Sequence, residues 1–154
     1  FDRVVTYLRT LAPPAQRNAN DPSVKRGNIL FHKIGCANCH TPSLRTGSDA
    51  AIDELKNQSI KPYTDLLLHD MGEDLADGIQ DSLASGSEWR TPPLWGIGLT
   101  KTVNGNTFFL HDGRARSIEE AILWHGGEGS ESRKNYSSLS LDDKVDLLNF
   151  INSL

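Results

Sequence analysis

Apolar residues recur at helical spacing in several stretches of the chain. Phe1, Val4, Val5, Leu8 and Leu11 form the first series, which Pro13-Pro14 stops. The series is occupied from the first residue, so the pattern predicts a helix already under way and a missing region N-terminal to it. Residues 13–20 are polar and helix-breaking and read as a linker. Residues 1–20 are therefore expected to be a helix and lead-in, and residues 21–154 one domain. Asp21 suits an N-cap, with Pro22 at the first helical position. Val24, Gly27, Phe31 and Ile34 then lay one apolar edge along a second helix. Glycine inside that edge costs about 1 kcal/mol against alanine, which close approach of another helix explains.

From Thr41 to about Thr100 no long periodic segment occurs. Short helices are expected at 50–56 and 63–69, in a stretch otherwise rich in Gly, Ser, Pro and Asp. Loops of this length in a compact domain wrap something or carry function. Asn104-Gly105, with flanks 101–103 and 106–109, predicts a small β-hairpin. Ser117 and Glu120 form a capping box for a helix through Ile118, Ala121, Ile122 and Trp124, ended by Gly126-Gly127. Ser140 with Asp143 caps a last helix whose Leu141, Val145, Leu148, Ile151 and Leu154 make a stripe. Tyr63, Phe108 and Trp124 read as core. An all-α architecture with long loops and one small hairpin follows. Its apolar stripes are modest for so much irregular chain, a mismatch that a bound central group would resolve.

Composition adds exclusions. With 154 residues, 37% hydrophobic and 23% charged, the chain has the make-up of a soluble globular protein. No apolar run approaches the roughly 18 residues that span a bilayer. Phe1-Asp2-Arg3 does not open a secretory leader. The net charge of −4, without a basic cluster, argues against nucleic acid and suits a basic protein partner.

Both cysteines fall in Gly35–His40, GCANCH. A structural zinc site needs four ligands, usually from two such pairs or from one pair with a paired histidine motif. No second pair exists, and His32, His69, His111 and His125 are scattered. A thioredoxin-like redox pair follows a strand in an α/β pattern, which is lacking around Cys36. C-x-x-C-H instead marks covalent c-type haem attachment, with Cys36 and Cys39 as the thioether donors and His40 as the proximal ligand. One covalent haem c is the expected cofactor. An amphipathic helix precedes the motif and another closes the chain, as in the crossing helices of a class I cytochrome c. Maturation of such a group takes place outside the bacterial cytoplasm, so a periplasmic location is expected.

The second axial position separates electron transfer from catalysis. A methionine opposite histidine raises the potential and closes the iron, whereas an open position permits peroxide chemistry. Met71, the one methionine, lies in polar, Gly-flanked surroundings unlike a core segment and is the favoured distal ligand, with His69 as rival. Arg114 and Arg116 suit haem propionates or a solvated surface alike. Trp95 and Trp89 suit a haem edge or ordinary packing. His111 suits a propionate, a partner haem or a braced turn. His125 stands at a helix end, where the dipole favours an imidazolium without further role, and His32 is expected to be exposed.

Five segments occur together and in order: RGNILFHKIGCANCHTPSLRTG, KPYTDLLLHDMGEDLADG, SEWRTPPLWGIGL, FFLHDGRARSIEEAILWHGGE and LSLDDKVDLLNFINSL. Jointly they resemble the C-terminal part of the bacterial di-haem oxidoreductase family, also labelled thiol oxidoreductase, which is related to the di-haem cytochrome c peroxidases. The resemblance covers nearly the whole chain. It implies a class I cytochrome c fold with one haem, attached through Cys36, Cys39 and His40 and with Met71 in the segment that supplies the distal ligand. In the peroxidase relatives the C-terminal haem receives electrons and a separate N-terminal haem reacts with peroxide. This chain has one C-x-x-C-H rather than two. The resemblance therefore points to an electron-transfer domain of a larger di-haem oxidoreductase, working with a second haem domain or a redox partner protein. The alternative is a peroxidase-type haem enzyme whose distal position is open or displaceable. No residue here supports the thiol label.

Overall fold

In the computed structural model, which describes residues 1–154, the chain opens with helix α1 (Asp2–Thr10), none of whose residues is buried. Residues 14–17 then run along the far end of the molecule. The Arg17 N–H donates to the Ser153 carbonyl at 2.7 Å, and the Arg17 guanidinium donates to the Asn152 carbonyl at 2.6 Å. Helix α2 (Pro22–Lys33) starts as its sequence dictates: the Asp21 carboxylate accepts the Ser23 N–H at 2.7 Å, and Pro22 sits where a missing donor costs nothing.

Helix α2 packs against the terminal helix α6 (Leu141–Ser153), which Ser140 caps. Val24, Gly27, Phe31 and Ile34 are buried as the spacing predicts. A Cβ on Gly27 would collide with the carbonyl oxygen of Asp146, so glycine is what lets the two backbones meet. Above this contact Phe31, Tyr63 and Phe150 form an edge-to-face trio, with ring centres 5.3 to 5.9 Å apart. Each such pair contributes about 0.5–1.5 kcal/mol beyond its area burial. Leu147, Ile151, Leu154 and Tyr136 complete the core.

The buried face of α6 differs from the expected stripe. Leu141 is 80% exposed and Val145 56%, while Leu147 and Phe150 are sealed. Apolar residues occur on more than one side of this helix, and the contact at Gly27 selects the side carrying Asp146 and Phe150. Phe108, expected in the core, is 59% exposed, and Trp124 is half-buried.

The all-α, class I cytochrome c expectation is overturned. Six α-helices are accompanied by two antiparallel two-stranded sheets, and a mixed α/β description fits better. Strand β1 (Leu44–Arg45) pairs with β2 (Ser59–Ile60), and β3 (Leu68–Asp70) with β4 (Glu88–Arg90). These strands are too short to show an alternating pattern, so the sequence conceals them. The helix expected at 63–69 is absent. Tyr63 and Leu66 take positive φ values of 54° and 63°, which break a helix, and His69 falls within β3 instead. The helix expected at 50–56 reduces to a 3-10 turn, Asp53–Leu55. The expected hairpin at 101–109 is overturned too. Thr100–Asn104 is helical (α3), and Gly105 at φ 75° is its left-handed C-terminal cap rather than part of a hairpin turn. Helix α4 (Ile118–Leu123) begins at its capping box, with the Ser117 hydroxyl accepting the Glu120 N–H at 3.0 Å. The polar helix α5 (Ser130–Ser137) has no apolar period and escapes sequence reading. No helix is long and apolar enough to cross a membrane.

Candidate functional site

Helix α2 ends at Lys33 and Gly35 follows at φ 96°, a conformation open chiefly to glycine. The chain then winds into the 3-10 turn Cys36–Asn38, which sets Cys36, Cys39 and His40 side by side beyond the helix end. Both thiols are free. Burial pushes the Cys36 thiol up to about 11, and burial followed by the Asp65 charge raises that of Cys39. Both therefore remain neutral near pH 7.

His40 is fixed from behind: its Nδ1–H donates to the Tyr63 carbonyl at 3.0 Å. Tyr63 has a positive φ of 54°, and its side chain belongs to the aromatic trio while its carbonyl meets the His40 ring. Burial holds His40 neutral, down to about 4. Nδ1 carries the proton, so Nε2 keeps its lone pair.

His125 faces it. The two ring centres lie 6.5 Å apart with their planes at 49°. His125 is anchored in the same manner, its Nδ1–H donating to the Ala121 carbonyl at 2.7 Å. The expectation of a charged helix-end histidine is corrected here. Burial lowers its affinity for protons, so the ring is neutral and inward rather than an imidazolium at the dipole. Neither Nε2 makes a hydrogen bond, and no sealed side-chain nitrogen lacks a partner. Both Nε2 atoms thus border open space.

The residues after His125 shape the opposite wall. A Cβ on Gly126 or Gly127 would collide with the carbonyls of Met71 or Asp70, so the 70–72 loop lies backbone to backbone against this turn. The Met71 methyl and the His125 ring both lie 3.2–3.3 Å from the place a Gly129 Cβ would occupy. Glu128 completes the seam, its carboxylate accepting the Asp70 N–H at 3.0 Å and the His69 Nδ1–H at 2.8 Å.

His69, the rival ligand, has no free nitrogen: Nε2 meets Asp65 at 2.8 Å while Nδ1 meets Glu128. These two carboxylates, Glu128 foremost, raise its pKa. Cys39, Asp65 and His69 do bring ligand-type atoms within 4.8 Å of one another. Three is one short of a structural zinc set, and the histidine is already engaged on both sides.

The remaining candidates lie elsewhere or are occupied. The Arg114 guanidinium donates to Asp112 at 2.6 Å and to the Asp74 carbonyl, and sits 4.8 Å over the Trp124 ring. Trp89 stacks face to face on His111 at 3.5 Å, a braced pair. Trp95 lines a cleft of about 300 Å³ with Pro13, Ile60 and Tyr63, and no cysteine or histidine borders it. His32 is exposed, and Arg116 lines a second cavity near Phe109.

Two thiols on one tight turn, an adjacent imidazole with a fixed tautomer and a free Nε2, and apolar rings behind it fit a covalently held haem. They do not fit a four-ligand zinc site or a disulfide framework. This donor set is of the kind that a haem-dependent redox protein uses. The family described as "Di-haem oxidoreductase, putative peroxidase" matches residues 1–154, and the chain belongs to it. Haem binding and oxidoreductase character follow at that level. No curated protein and no solved structure matches the chain.

Proposed function

We propose that this chain is an electron-transfer unit carrying one covalently attached haem, and that it works beside a second haem domain or a redox partner within a di-haem oxidoreductase. The observation that carries this reading is the contiguous set Cys36, Cys39 and His40, held by the Gly35 turn and the Tyr63 carbonyl. When bound, the haem supplies reversible one-electron chemistry. Cys36 and Cys39 hold it through thioethers, and His40 offers Nε2 from a ring that cannot rotate without losing its bond to Tyr63. Phe31 and Tyr63 exclude water behind that ring, keeping the surrounding dielectric low. Family membership with a single C-x-x-C-H supports placing the second haem on another segment or partner. Covalent attachment favours a periplasmic site of action.

The test is production with c-type maturation machinery, followed by denaturation and acid extraction. The reading expects one haem retained per chain and no titratable thiol, with Cys36→Ser/Cys39→Ser releasing the pigment. A mature chain that keeps two free thiols and no Soret absorption sinks it. A ferric spectrum that is high-spin and shifts on adding hydrogen peroxide replaces electron transfer with peroxidase chemistry on this chain.

A further inference from the structure

We infer that His125 is the second axial ligand, binding through Nε2 on the side of the iron opposite His40. This rests on the haem reading above and replaces Met71 in that role. Two imidazoles on opposite sides of one first-row metal, each nitrogen about 2 Å from it, have ring centres roughly 6 Å apart. The rings of His40 and His125 are 6.5 Å apart. Ligating histidines almost always donate their other ring N–H to a carboxylate, a backbone carbonyl or water. Each of these two does so, His40 to Tyr63 and His125 to Ala121. Both Nε2 atoms are consequently lone-pair bearing and unpartnered, and both border open space.

The competing side chains are placed differently. His69 spends both nitrogens on carboxylates. Met71 lies with its methyl beside Gly129 and its carbonyl against Gly126, packed on the turn that carries His125. Its methyl and the His125 ring flank the same point beside Gly129. The turn itself is firm, because the His125 N–H donates to the Ile122 carbonyl at 3.1 Å and the Gly129 N–H to that of Gly126 at 2.8 Å.

The experiment uses the mature haem protein and reads its ferric spectrum by visible absorption, near-infrared magnetic circular dichroism and paramagnetic resonance. Wild type is expected to be low-spin without the far-red band of a thioether–iron bond. Met71→Leu is expected to keep that spectrum. His125→Ala is expected to turn high-spin and to regain the low-spin spectrum when imidazole is added to the solution, with a far-ultraviolet circular dichroism spectrum like that of wild type showing that the variant is folded. A far-red band in wild type that disappears in Met71→Leu overturns the assignment while leaving the haem reading intact. So does an unchanged low-spin spectrum in His125→Ala. A chain that matures without covalent haem overturns both.

Discussion

Gly27 and Asp146 touch through their backbones, with no room between them for a methyl group. Gly27→Ala would gain up to about 1 kcal/mol of helix propensity. It would also force α2 away from α6, and overpacking of this kind costs about 1–3 kcal/mol, occasionally more. The clash is with backbone, which cannot rotate aside, so a net loss of up to about 2 kcal/mol is expected in denaturant unfolding. Asn28→Ala, one residue on and exposed, is the control and should be neutral or slightly stabilising.

Asp146 joins the same two helices by charge. Its carboxylate accepts from the Arg26 guanidinium at 2.5 and 3.0 Å and from the Ser23 hydroxyl at 2.5 Å. The Arg26 bond first, then that of Ser23, holds its pKa below the ordinary 3.8. A depressed carboxylate stabilises the fold above its unfolded pKa and ceases to do so as pH falls through its folded one. Thermal stability should therefore decline as pH drops below about 4, and Asp146→Asn should flatten that part of the curve. An identical acid limb in both proteins would count against it.

Glu128 is expected to set the proton affinity of His69. Its carboxylate is the foremost cause of the raised pKa, ahead of Asp65. In Glu128→Gln the His69 pKa should fall towards the ordinary 6.5, read from the histidine ring signals by NMR. Stability contributed by this contact is fully present below the unfolded pKa and lost as pH rises through the folded one. The variant should accordingly lose less stability than wild type as pH rises above 6.5.

His125→Met offers a direct reading of the iron's surroundings. A thioether opposite imidazole raises the reduction potential relative to a second imidazole. Redox titration of the mature variant should give a more positive midpoint than wild type, with a far-red ferric band appearing. A midpoint that does not move would show that residue 125 does not touch the metal.

Local chemistry was legible in the sequence and long-range geometry was not. GCANCH states its donors in six adjacent letters, and α2 and α4 are announced by Asp21-Pro22 and by Ser117 with Glu120. The α6 stripe holds at Ile151 and Leu154 but not at Leu141 and Val145, because the helix carries apolar residues on several sides and contact with Gly27 chooses among them. The run Leu66–Leu68 reads as helix, yet all three are exposed. There Thr64 directs the backbone, donating its buried hydroxyl to the Thr91 carbonyl at 2.7 Å and accepting the Leu66 N–H at 2.9 Å. His125 was hidden for a different reason: its partner His40 lies far away in sequence, and no periodic pattern joins them. A signal was nevertheless available. A histidine at a helix end followed by two glycines and a glutamate supplies a ring, a surface bare of side chains and a carboxylate in one turn.

That bare surface governs how the chain can change. The 70–72 loop meets Gly126 and Gly127 through main-chain atoms, so exchanging the side chain at Met71 leaves the contact standing. Adding one carbon at either glycine breaks it. Substitution in this chain is thus channelled: the side chain at Met71 can change in chemistry and tune the surroundings of the His125 ring, while the seam that positions the ring admits no growth at all.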